Sequence, residues 1–139
     1  MKAGFAASDI TPPLGLDVAG YLWTGPTKGT ADPLSARAIV LDDGSTRVAL
    51  VALDLLGIEL PDSLVATRLV EDRIGIPQEN ILISCSHTHF GPATYRRSSV
   101  CRWPAEYMEA LPYRIAQVVT RAAEDLQPVR LVQRVCNLL

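Results

Sequence analysis

Asn80-Ile81-Leu82-Ile83-Ser84-Cys85-Ser86-His87-Thr88-His89-Phe90-Gly91-Pro92 joins an apolar run to a His-x-His pair and then to a Gly-Pro stop. Ile81, Leu82 and Ile83 read as a buried strand. Side chains alternate along a strand, so His87 and His89 are expected to leave its end on the same side. Neutral imidazoles are good zinc ligands at about 2 Å, and two spaced by one residue suit a common centre. Two protein ligands are too few, since a catalytic zinc takes three, so the site would draw on residues from elsewhere. A His-x-His pair also arises by chance on strand ends, and spacing alone does not separate the two readings. The setting favours chemistry: Gly91-Pro92 ends the strand sharply, and loops past strand C-termini in α/β folds are where ligands collect.

Upstream, the run Val48-Ala49-Leu50-Val51-Ala52-Leu53 is apolar at every position, which fits a central strand covered on both faces. It pairs with residues 34–41 as a hairpin through Asp42-Asp43-Gly44-Ser45, an Asp-Gly turn. Pro61-Asp62-Ser63 starts a helix to about Ile74, with Ala66, Leu69 and Val70 on one side and Gly75 as its C-terminal stop. Strand, helix, strand is a βαβ unit, whose crossover is expected to be right-handed. Parallel strands end at one edge, which places Asp54 near His87. There Asp54 either accepts a hydrogen bond from the non-ligating nitrogen of a zinc histidine or caps the loop that follows it.

The remainder is read from punctuation and period. Residues 4–10 form a short strand ended by Thr11-Pro12-Pro13. Residues 14–33 carry six interspersed glycines and prolines and read as a long loop, with Tyr21, Leu22 and Trp23 lining a pocket or pinning the loop to the core. The basic segment around Arg96, Arg97 and Arg102 is either a lid that attracts acidic groups or a solvated loop. Pro104 opens a helical stretch in which Leu111, Ile115, Val118, Val119, Ala122 and Leu126 share one face. Pro112 kinks it or separates a short helix from the main one. Residues 129–135 are expected to form a last strand with an open edge.

With 139 residues and 48% hydrophobic content, the chain fits one domain with a core. Thirteen basic residues against fifteen acidic ones remove the electrostatic case for nucleic acid. No stretch approaches a membrane span and the first residues turn polar too soon for a secretory leader, which points to the cytoplasm. Cys85, Cys101 and Cys136 are odd in number and irregularly spaced, so reduced thiols are expected. Cys85 shares a strand face with the histidines, either as a further ligand or as a small apolar filler.

Ser86-His87-Thr88-His89-Phe90-Gly91-Pro92 resembles the zinc motif of the neutral/alkaline non-lysosomal ceramidases, where Thr-His-Thr-His-Ser-Gly-Pro is usual. Ser8-Asp9-Ile10-Thr11-Pro12-Pro13, Ala19-Gly20-Tyr21, and Ser35-Ala36-Arg37-Ala38 through Asp42-Asp43-Gly44 resemble the same family in the same order, over roughly residues 3–130. The resemblance implies an amide hydrolase that cleaves an N-acyl sphingoid lipid or similar amide with one zinc ion. It makes His87 the zinc ligand and places His89 beside the substrate. The family's other ligands, a histidine, a glutamate and a tyrosine, lie well downstream and have no counterpart up to Leu139. Ser86 and Phe90 depart from the family's Thr and Ser, leaving a bulkier wall beside the histidines.

The expectation is therefore an α/β fold: a mixed sheet with an N-terminal β-hairpin, a right-handed βαβ unit and a long C-terminal helix, all in one domain over residues 1–139. It would be the N-terminal part of a zinc-dependent amidase acting on a lipid or small amide, inactive until downstream residues complete it. The alternative is a non-catalytic domain that binds a partner through its open edge. Substrate identity and oligomeric state are left open.

Overall fold

The computed structural model describes residues 1–21 and 25–135, so Leu22, Trp23 and Cys136 lie outside the described residues. Among them the strands are β1 (Lys2–Asp9), β2 (Ser35–Asp42), β3 (Arg47–Leu53), β4 (Ile81–Cys85) and β5 (Gln127–Pro128). The helices are α1 (Leu60–Ile74) and α2 (Ala105–Glu124), with a 3-10 turn at Gln78–Asn80 before β4. The sheet order is β4-β3-β2-β1-β5, antiparallel except for the β3–β4 pair, which is parallel with α1 in the crossover. This is the mixed α/β sheet expected from sequence.

Local chemistry accounts for the boundaries. The β2–β3 turn closes on Asp43, whose Oδ1 accepts from the backbone N–H groups of Ser45 and Thr46. That arrangement holds its carboxyl down at about 2. α1 has Pro61 in its first turn and stops where Gly75 turns left-handed at φ 70° and donates to the Glu71 carbonyl. α2 runs unbroken through Pro112, so it is one helix rather than two. Pro112 is buried, and its ring takes the place of one donor to the preceding turn.

The core lies between the sheet and the two helices. Ala36, Ala38, Val40, Val51 and Leu53 point toward α2, which buries Met108, Leu111, Ile115, Val118 and Val119 against them. α2 crosses β1 and β2, and α1 packs alongside α2. Both helices therefore cover one face of the sheet, and the expectation for β3 needs correcting. Leu50 is 43% exposed and Ala52 is also exposed, so β3 is covered on one face only. The expected last strand is also shorter and earlier: only Gln127–Pro128 pairs with β1, and residues 129–135 carry no strand. The chain there runs exposed past the sheet edge because little packs against it. No helix among the described residues is long and apolar enough to cross a membrane.

Candidate functional site

β3 and β4 run in register from Ala49↔Ile81 to Leu53↔Cys85, so their ends meet at one edge. The two chains stay together past the strands: Ser86 N–H donates to Leu53 O at 2.9 Å and His87 N–H to Leu55 O at 3.0 Å. His87 then adopts a left-handed backbone at φ 60°. Outside glycine this region is sparsely populated, though His is among the residues enriched there. The two rings come together as expected, with centroids 5.2 Å apart and planes at 65°. The cause is this turn rather than strand alternation, because β4 ends at Cys85.

The His87 ring is held from the β3 side. Its Nδ1 lies 2.8 Å from the Leu56 carbonyl oxygen. A carbonyl can only accept, so the ring is the Nδ1–H tautomer and Nε2 carries the lone pair that would face a metal or a substrate proton. This is the kind of outer contact that orients a metal-binding imidazole. Sequence reasoning offered Asp54 for that contact and missed the backbone two residues on. Asp54 Oδ2 instead accepts from Ser35 N–H at 3.0 Å, Ser35 Oγ–H at 2.6 Å and Arg37 NH1 at 3.2 Å. The Ser35 hydroxyl is the main cause holding its carboxyl below the ordinary value, with burial opposing it.

His89 is framed by the N-terminal loop. Tyr21 meets its ring edge-to-face at 5.2 Å and lies tilted against Phe90 at 5.7 Å, so of the two roles open to it Tyr21 pins the loop, here to the histidine motif. The loop comes this close at Gly20, with φ 111°, where a Cβ would lie 2.5 Å from His89 Cγ. Backbone bonds stitch it to the motif, from Ala19 N–H to Gly91 O at 3.0 Å and from Ala93 N–H to Asp17 O at 3.2 Å. Beyond Thr88 and Phe90 lies a cleft of about 440 Å³ whose apolar lining includes Pro12, Leu14, Val18 and Leu34. Phe90, 75% exposed, stands at its border.

Among the described residues no three His, Cys, Asp or Glu side chains come together closely enough to hold a metal ion. The two imidazoles fit as part of a donor set and not as a whole one. Cys85 packs toward the core, and burial pushes its thiol up from the ordinary value. The basic segment is exposed, as a solvated loop is, but Arg96 is also anchored: it binds Glu59 and Asp62 at 2.7 Å each and lies over the Trp103 ring.

No family model matches this chain. Solved structures do, two of them ceramidases. A neutral ceramidase from Pseudomonas aeruginosa matches with a TM-score of 0.76 and 27% identity over 91% of this chain. A ceramidase complexed with C2 matches with a TM-score of 0.75 and 27% identity, again over 91% of this chain. The chain spans 22% of the length of each.

Proposed function

From a fold and a motif shared with part of the neutral ceramidases, we propose that this chain is the N-terminal domain of a ceramidase-like, zinc-dependent amide hydrolase acting on an N-acyl sphingoid lipid or a similar amide. The observation that carries the reading is the His87–His89 pair at the common edge of β3 and β4, with the His87 tautomer fixed by Leu56. His87 would be one zinc ligand through Nε2, the remaining ligands coming from polypeptide beyond these residues. When bound, zinc polarises an amide carbonyl and lowers the pKa of its water. His89 stands 5.2 Å from the His87 ring and is backed by Tyr21, so its free ring edge can donate to a substrate oxygen or a developing oxyanion. The adjoining apolar cleft suits the hydrocarbon part of such a substrate.

Zinc titration followed by the imidazole NMR resonances tests this. Zinc is expected to perturb both rings, and His87→Ala to remove the effect on His89. Zinc that leaves both rings untouched overturns the reading for this chain. A second reading, a non-catalytic domain that binds a partner polypeptide, is favoured by the row Phe5–Ile39–Leu50–Leu82 on the uncovered face of the sheet rather than by an edge.

A further inference from the structure

The loop of residues 54–59 lies between the histidine motif and the segment that follows it. On one side its Leu55 and Leu56 carbonyls receive the His87 backbone N–H and ring N–H. On the other side Tyr95 and Arg96 hold it. The Tyr95 hydroxyl occupies the space where a Cβ on Gly57 would stand. Arg96 NH1 donates to Glu59 Oε2, at the loop's last residue, and its two terminal nitrogens grip both oxygens of Asp62 in the first turn of α1, all at 2.7 Å. Asp62 is only 6% exposed, and the guanidinium lies over the Trp103 ring, 4.7 Å from its centroid. A planar fork meeting a carboxylate in two bonds, with an aromatic face behind it, is a rigid arrangement that lysine cannot copy.

We propose that Arg96 is a positioning residue for His87: by fastening the 54–59 loop it holds the Leu56 carbonyl where it selects the Nδ1–H tautomer and aims Nε2 outward. The inference rests on the hydrolase reading only for the use to which Nε2 is put. Its physical content concerns the metal-free chain. Free imidazole in water is richer in the Nε2–H form, so a loosened carbonyl lets the ring drift toward it.

The experiment is a long-range ¹H–¹⁵N spectrum of the histidine rings in the full chain, at a pH where both rings are neutral, with His87→Gln to assign His87. The unaltered protein is expected to show the Nδ1–H signature for His87. In Arg96→Met the ratio of tautomers is expected to fall roughly fivefold, the factor set by one hydrogen bond of typical net strength. Arg96→Lys is expected to restore part of it. Tyr107→Phe, destabilised at a distance, keeps the signature, which separates positioning from general loss of stability. A folded Arg96→Met with the His87 signature intact overturns the proposal. If Arg96→Met does not fold, Glu59→Gln decides: it frees the loop end while leaving the Asp62 pair, and an unchanged ring there overturns the proposal equally. A chain whose tautomer depends on Arg96 but whose rings ignore zinc keeps this inference and loses the hydrolase.

Discussion

The two faces of the sheet carry similar apolar content and live in different surroundings. On the helix side the paired rows are Gly4–Val40–Ala49–Ile81, Ala6–Ala38–Val51–Ile83 and Ser8–Ala36–Leu53–Cys85. Small residues on β1 and β2 let α2 lie close, and the aliphatic mass comes from Leu111, Ile115, Val118 and Val119 of the helix. On the other side the row Phe5–Ile39–Leu50–Leu82 spans four strands, with Phe5 and Leu82 each 61% exposed. An apolar sheet face ordinarily meets a second layer. The difference teaches that apolarity records what a face can be packed against, whereas burial requires the packing element to be there.

The comparison is most sharply tested from the covered side. Ile115→Ala removes a fully buried side chain between α2 and the sheet, and is expected to cost about 2–5 kcal/mol in urea unfolding, as core truncations do. Tyr107→Phe is expected to cost less, roughly 0.5–1.5 kcal/mol, because it deletes one bond, the buried hydroxyl's 2.7 Å donation to the Ile10 carbonyl. A Tyr107→Phe loss as large as that of Ile115→Ala would show that polar satisfaction and not packing dominates this face.

How much of this was legible follows the same division. The β3–α1–β4 crossover was readable because each part carries its own local signal: the unbroken apolar run, Pro61 and Gly75 at the helix ends, and Ile81–Cys85 leading into the histidines. The meeting of His87 and His89 was readable in outcome and not in cause, since a left-handed residue produces it. The Leu56 contact left no trace in residue type, because every residue has a carbonyl. The Arg96 clamp joins positions whose pairing only the fold creates. The two-sided burial expected for β3 failed because a one-sided and a two-sided sheet share the same composition when the uncovered side is apolar too.

At the sheet edge, Asp54 links the two regions to pH. Its folded pKa is lowered from 3.8, chiefly by the Ser35 hydroxyl, so its stabilising contribution is present above the ordinary carboxylate pKa. That contribution is lost as pH falls through the lower folded value. Asp54→Asn is expected to flatten this part of an acid-unfolding curve while leaving the neutral-to-basic limb unchanged. The partner Arg37 is 61% exposed, so the ion pair itself adds little. An acid limb identical to that of the unaltered chain would mean that Ser35 binds the protonated acid as well as the carboxylate.

The smallest expected effect is also the one that can break the comparison outright. Leu82→Thr replaces a 61% exposed side chain on β4 with a β-branched residue that suits a strand, and is expected to change stability by no more than about 0.5 kcal/mol. Leu50→Thr, at the directly paired position, is expected to behave alike, and the double variant to depart from additivity only by the roughly 0.2–1 kcal/mol of one cross-strand pair. Measured at several protein concentrations, unfolding midpoints are expected to stay fixed. A loss of core size for Leu82→Thr that grows with protein concentration would mean the row is buried against a second copy in solution, and the two faces would then differ in partner rather than in burial.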